Sequence, residues 1–264
     1  MPEKRYSWLI LAALLAAVLG SVSLAHAQQD ASTVAPKGEL RAALITSNPV
    51  LVERTPDGQF AGVSVDLANA FAAQLGVSVR LVPYENLVRY NQSIGKDEWD
   101  IGFAPRDLSR VGQLAFSDSF LEANESYVAR AGIMLNTPEE VDRSDNKVAV
   151  LQGSAADGFL TRTLTRAHIV RIVDGLVSAR EALSFGRADV FADYTHIAYL
   201  VQAEVPGATV LITPFSVVRM TIAIPKSNAA ALPIVNDFIV KAKKDGVITD
   251  AIKKAGLSGV RPAR

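Results

Sequence analysis

The sequence contains no cysteine, which excludes disulfide bonds, thiolate metal ligands and lipid attachment at a lipobox cysteine. It also contains no Gly-x-Ser-x-Gly, P-loop or His-Glu-x-x-His motif, so three common signatures of enzymes and nucleotide-binding proteins are missing. Beyond residue 27 the only histidines are His168 and His196, and no ligand pattern for zinc is present. We therefore expect no metal and no other cofactor, and a fold held together by its apolar core.

The sequence also lacks an excess of charge of either sign. Residues 1–27 contain Lys4, Arg5 and Glu3, so the rest of the chain has 25 basic and 26 acidic residues (27 − 2 and 27 − 1) and a formal charge of −1. This balance argues against a nucleic-acid partner and against binding to an anionic membrane surface.

The first 27 residues have the pattern of a secretory signal peptide. Lys4 and Arg5 precede an apolar stretch from Trp8 to Leu19, and the segment ends in a small-x-small sequence, residues 25–27. No later run approaches the roughly 20 apolar residues of a membrane-spanning helix. We expect cleavage, a periplasmic location and no stable membrane insertion, with an uncleaved anchor as the alternative. Residues 28–37 are small and polar, and we expect a flexible arm outside the fold.

From Gly38 onward, strand and helix patterns alternate. Residues 40–45 read as a strand, a helix ends at Gly76, an alternating strand follows at 77–81, and Trp99 to Phe103 reads as a buried strand. This βαβαβ order predicts a parallel sheet.

The alternation then restarts after a polar stretch at residues 121–126. It predicts strands at 147–151, 169–173 and 188–192, with helices at 155–166, 176–185 and 194–203. A strand at 217–224 and two helices at 229–244 and 247–254 complete the chain, and we expect these to return to the first unit. The prediction is an α/β protein of two lobes, each a mostly parallel sheet flanked by helices.

Arg110 stands six residues before Phe116-Ser-Asp118 and shortly after the predicted strand that ends at Phe103. Open α/β sheets bind ligands beyond the carboxyl ends of their strands, and a guanidinium fits a carboxylate. These features favour a site for a small anion. The alternative is a surface arginine paired with Asp107 or Asp118.

Two further segments lead from a predicted strand into a helix. Ser154, in Gln152-Gly-Ser-Ala-Ala-Asp157, suits an N-cap, with an anion seat of backbone N–H groups as the alternative. Asp193 either caps the next helix or faces a cleft and accepts a hydrogen bond from a ligand ammonium. The sequence leaves this choice open.

Four segments, taken in order, resemble the polar-amino-acid type of periplasmic solute-binding protein, family three of the extracellular solute-binding proteins, which serve ABC transporters. They are GVSVDLANAFAAQLG, DLSRVGQLAFSD, VAVLQGSAAD and EALSFGRADVFAD, and the likeness extends from Gly38 to about Leu257. The resemblance implies a type II fold whose two lobes are joined by crossovers near Leu121–Ser126 and Val217–Thr221. The expected boundaries are 38–122 plus 221–264 for the first lobe and 123–220 for the second.

The resemblance also implies roles for individual residues. Arg110 would grip the ligand α-carboxylate, Ser154 would add a hydroxyl and an N–H, and Asp193 would hold the α-ammonium. The family often has an aromatic residue where this chain has Ser47-Asn48-Pro49, and a second aromatic wall near Tyr84. Asp107 replaces a usual hydroxyl residue, and an inward Asp107 would favour a cationic or neutral ligand. The predicted ligand-binding residues are Arg110, Asp193, Ser154, Asp107, Ser47 and Tyr84.

The expected function is that of a non-enzymatic, monomeric binding component of an ABC importer. It would close on a small amino-acid-like zwitterion and present it to a membrane-embedded permease. Two alternatives stay open at this point. One is a periplasmic dehydratase-like enzyme on the same fold, and the other is a module that presents its ligand to a signalling receptor.

Overall fold

The computed structural model describes residues 28–106, 110–173 and 175–264. The predicted signal peptide, residues 1–27, and Asp107 lie outside the described residues. The strands are β1 Glu39–Ile45, β2 Glu53–Arg54, β3 Phe60–Ala61, β4 Ser78–Tyr84, β5 Ile101–Pro105, β6 Leu114–Ala129, β7 Lys147–Leu151, β8 His168–Ile172, β9 Val190–Tyr194, β10 Thr209–Val210, β11 Ser216–Pro225 and β12 Val260–Pro262. The helices are α1 Val63–Leu75, α2 Leu87–Ser93, α3 Ala155–Thr163, α4 Gly175–Ser184, α5 Thr195–Glu204, α6 Leu232–Lys244 and α7 Val247–Lys254.

One continuous sheet carries the fold, with the strand order β4-β1-β5-β11-β6-β9-β7-β8. Its two ends are parallel, because β1 pairs with β4 and β5, and β7 pairs with β8 and β9, in the same direction. Between them β6 and β11 run antiparallel to their neighbours. We call the β4-β1-β5 end with α1, α2, α6 and α7 the first lobe, and the β9-β7-β8 end with α3, α4 and α5 the second lobe. The predicted α/β fold, with a mostly parallel sheet in each of two lobes, is confirmed.

The two lobes are joined by long strands. β6 has 16 residues and β11 has 10, and the predicted crossover segments 121–126 and 217–221 lie within them. We call these two segments the hinge. The polar stretch at 121–126 is a strand because β11 pairs with it on one side and β12 and β9 on the other, so its backbone groups have partners. The exact lobe boundaries stay a prediction.

Each lobe has its own buried apolar side chains. The first-lobe core joins α1 to the C-terminal helices, and the rings of Phe71 and Phe238 stack with their centroids 4.4 Å apart. The core of the second lobe lies around β9 and α5, with Phe191 and Val201 fully buried. In the described part of the chain, no helix combines the length and apolar character that crossing a bilayer requires.

The segment predicted to be a flexible arm differs from expectation. Residues 28–34 are helical, and Val34 and Ala35 are buried in the first-lobe core. The Asn228 side chain also donates a hydrogen bond to the Thr33 carbonyl at 3.0 Å. The sequence predicted a flexible arm because only two apolar side chains attach this segment to the core, and they stand among small polar residues.

Candidate functional site

Arg110 lies in the turn that follows β5, at the carboxyl edge of the first-lobe sheet. Only 7% of the residue is exposed. Its guanidinium donates to the Asn91 side-chain oxygen and to the Pro105 carbonyl, both at 3.2 Å. Arg110 is therefore buried and not at the surface, as the alternative required, while the pairing with Asp107 that it included lies outside the described residues. Its predicted role with a ligand carboxylate stays a prediction.

Ser154 lies between β7 and α3, where the chain enters the helix. Its hydroxyl accepts a hydrogen bond from the Asp157 N–H at 3.1 Å, so it is the N-cap. The Asp157 carboxylate in turn accepts from the Gly153 N–H at 3.0 Å. The next residue, Ala155, packs against the first-lobe core, which places this helix start beside the other lobe. A hydroxyl that accepts a hydrogen bond can still donate one, so the cap leaves a donor for a ligand.

Two of the predicted contacts lie at the edge of the first lobe. Ser47 is exposed in the turn after β1. Tyr84 ends β4, but its hydroxyl donates to the Glu98 carboxylate at 2.7 Å and its ring packs edge-on against Tyr90. A ligand would have to compete with Glu98 for that hydroxyl. Both residues stay predictions as ligand contacts.

Asp193 is at the end of β9, next to α5. Its carboxylate accepts from the Tyr194 N–H at 2.7 Å. The N-cap of α5 is Tyr194, without a side-chain cap bond, so Asp193 does not cap the helix. Burial raises the pKa of Asp193 to about 7, opposed only by the Tyr194 N–H. A nearby cation would lower this pKa, so among the described residues no cation neutralises Asp193.

The structure adds a residue that the sequence analysis missed, Glu125 in the hinge. It is 2% exposed and pairs with Tyr194 of β9 and Ser216 of β11. Burial raises the pKa of Glu125 to about 7, and the charge of Asp193 raises it further, against a lowering hydrogen bond from Ser216. The only signal in the sequence was an acidic residue in a segment expected to cross between lobes.

The two lobes touch beside these carboxyl groups. The Tyr194 side chain, on the second lobe, lies close to Asn48, in the turn after β1. The Tyr194 ring also packs against the first-lobe core. Asp193 and Glu125 thus lie beside the place where the lobes touch, and Arg110 lies at the carboxyl edge of the first-lobe sheet. The arrangement suits recognition of a small molecule that carries both charges.

Other candidate sites do not compete with this one. A group of three or more histidine or acidic side chains able to hold a metal does not occur among residues 28–106, 110–173 and 175–264. Two surface cavities, of about 340 and 330 Å³, are lined by residues such as Leu183 and Val205 in one and Ile252 and Leu257 in the other. Neither cavity includes a predicted ligand residue.

Comparisons with known proteins agree with the fold. The family model of bacterial extracellular solute-binding proteins, family 3, matches residues 40–257. Membrane-bound lytic murein transglycosylase F of Maricaulis maris is 30% identical over 78% of this chain and 46% of its own length. Cyclohexadienyl dehydratase of Pseudomonas aeruginosa is 26% identical over 71% of this chain and 70% of its own length. The L-arginine-binding protein of the same organism is 26% identical over 58% of each chain. The chain thus spans about half the length of two of these three relatives.

Solved structures show the same architecture. A mutant of ArgBP from T. maritima has a TM-score of 0.70 at 24% identity, covering 86% of this chain and 99% of that one. A binding component of an ABC transporter from Wolinella succinogenes, complexed with lysine, has a TM-score of 0.73 at 20% identity, covering 83% and 95%. At these identities the likeness is one of fold.

Proposed function

Because the chain belongs to family 3 of the bacterial extracellular solute-binding proteins, we propose that it captures an amino acid or similar zwitterion between its lobes in the periplasm and delivers it to the permease of an ABC importer. Relatives named for arginine and glutamine binding support the ligand class. We further propose that it acts as a monomer and without catalysis.

The observation that carries this proposal is the placement of opposite charges. Arg110 is buried at the carboxyl end of β5 on the first lobe, and Asp193 lies at the end of β9 on the second lobe. A zwitterion that pairs with both groups does so only when the lobes are together. Such a ligand favours the closed state by its differential affinity for that state, and a permease can recognise the closed surface.

The proposal predicts a large effect of Arg110→Ala on ligand affinity. Loss of the guanidinium leaves the ligand carboxylate buried and unpaired, which costs about 2 to 5 kcal/mol. Titration calorimetry with the best amino acid from a thermal-shift panel measures this loss. The matched control is Arg106→Ala, because Arg106 is exposed in the same loop. Equal affinities for the Arg110 variant and the parent protein would remove Arg110 from the site.

One observation favours a second candidate function, a dehydratase-like enzyme. Glu125 and Asp193 both have pKa values raised to about 7 by burial, and a general acid works best with a pKa near the working pH. The dehydratase relative covers 71% of this chain. Incubation with prephenate or arogenate distinguishes the two functions, because formation of an aromatic product would support the enzyme and stable binding without turnover would support the transporter component.

The transport role has its own test in cells. Deletion of the gene should abolish uptake of the bound solute if a permease is the partner. A normal uptake rate together with a lost sensory response would instead indicate that the protein presents its ligand to a signalling receptor.

A further inference from the structure

Among the described residues, the fully buried carboxylates are paired with arginines with one exception, and the partly buried Asp193 also lacks a cation. Four of the five buried acidic residues among those described form ion pairs: Asp100 with Arg41, Glu122 with Arg219 and Arg261, Asp157 with Arg171, and Asp189 with Arg130. In the same described part of the chain, Glu125 is the exception. A buried charge needs a partner to offset its lost hydration, so this exception requires a physical reason.

The Glu125 carboxyl group lacks a full set of partners within the described part of the chain. The Ser216 side chain is close enough to lower the pKa of Glu125, but the Oε2 oxygen of Glu125 is buried and has no hydrogen-bond partner among the described residues. An unsatisfied buried polar atom is costly and uncommon in native proteins. A donor supplied from outside the chain would remove that cost.

The orientation of Glu125 shows where such a donor would enter. Residues directly opposite each other in adjacent strands point to the same face of a sheet, and Glu125 lies opposite both Ser216 and Tyr194. The Tyr194 ring packs against the first-lobe core, and its side chain lies close to Asn48 on that lobe. Glu125 therefore faces the contact between the lobes, where the proposed ligand is held.

Asp193 lies close to Glu125 but is not the residue opposite it in the sheet. Asp193 pairs with Ser126, one position further along β6, at the end of β9. Its charge still reaches Glu125. Asp193 and Glu125 start from opposite faces of the sheet, but both carboxyl groups lie beside the end of β9, where each can hold a different nitrogen of a ligand placed at that edge.

We propose that Glu125 is a ligand-binding and specificity-determining residue that holds a second positively charged nitrogen, so that the solute is a diamino acid or similar cation. The inference rests on the proposed function, in which Arg110 and Asp193 hold the zwitterion. Arg110 and Asp193 then match the two charges of the zwitterion, and Glu125 matches the additional positive charge of a diamino acid.

Matched ligands and variants test this inference. L-Lysine and L-ornithine are compared by calorimetry with L-norleucine and L-norvaline, which lack the second nitrogen. The parent protein should prefer the diamino acids by at least about tenfold, and Glu125→Gln should remove most of that preference while leaving norleucine affinity nearly unchanged, since a desolvated charge pair is lost. The control is Glu122→Gln, another buried glutamate on the same strand, which should keep the preference.

The outcomes separate the two proposals. Equal affinity of the parent protein for lysine and norleucine, or an unchanged preference in Glu125→Gln, would overturn the role of Glu125 and leave the zwitterion proposal in place. Putrescine, a diamine without a carboxylate, tests the role of Glu125 separately from recognition of the zwitterion. Binding of putrescine without binding of any amino acid would reject the zwitterion and keep Glu125, and binding of neither would reject both.

A measurement on the parent protein covers the case in which Glu125→Gln does not fold. Calorimetry at about pH 7 in two buffers of different ionisation enthalpy counts the protons released on binding. Lysine should release more protons than norleucine, because a second cation favours the ionised carboxylate. Equal proton release for the two ligands would overturn the proposal.

Discussion

Replacement of Glu125 by glutamine should change how folding stability depends on pH. The ordinary pKa of a glutamate is 4.5, and burial, together with the charge of Asp193, raises the pKa of Glu125 to about 7. Between these two values the folded protein holds a proton that the unfolded chain has lost. The free energy of unfolding of the ligand-free protein therefore falls as the pH rises from the lower value to the higher one.

The size of the effect follows from the same two values. The distance from 4.5 to about 7, at about 1.4 kcal/mol per pH unit, corresponds to about 3 kcal/mol of lost stability. Glutamine has nearly the same shape and cannot ionise, so Glu125→Gln should avoid this loss. The variant should match the parent protein in the acidic range, near pH 4.5, and exceed it by up to about 3 kcal/mol near pH 8.

Urea unfolding at a series of pH values measures the difference between the two proteins. Asp193 titrates in both, so its own contribution largely cancels in the comparison. A stability difference that stays constant from about pH 4.5 to pH 8 would refute the reasoning, because it would mean that Glu125 ionises normally in the folded state. Glu122→Gln should instead lower stability, since two arginines lose a charged partner.

Two further predictions concern the stability of the fold. Asp100→Ala should destabilise the protein by about 3 to 5 kcal/mol, because it strands the buried Arg41. Asp97→Asn, at the exposed end of the same cluster, should cost much less. Equal losses in urea unfolding would contradict this. Gly259→Ala should lower the melting temperature more than Gly256→Ala. Both glycines have positive φ, but only at Gly259 would a Cβ meet Thr195, at 2.6 Å. Similar melting temperatures for the two variants would show that Thr195, at the start of α5, can move to make room for the added methyl group.

Most secondary-structure elements could be predicted from the sequence, because their signals are local. Spacing of apolar residues is set by the geometry of one helix or strand, so the strand at Ile101–Pro105 and the helix that ends before Gly76 appear in the residues themselves. The position of Arg110 beyond a strand's carboxyl end followed from the same patterns. The order of four motifs was enough to predict the family, which the match over residues 40–257 confirms.

The sequence determined which elements form and in which order they follow, because helix and strand periodicity depends on near neighbours along the chain. Only the tertiary structure decided that the polar stretch at 121–126 is a strand enclosed on both sides, and that Glu125 within it is buried without an arginine. It also brought Tyr194 close to Asn48, 146 positions earlier by numbering (194 − 48). The hydration and pairing of a charge depend on every group that surrounds it in space, and those groups come from segments whose separation along the chain carries no local signal.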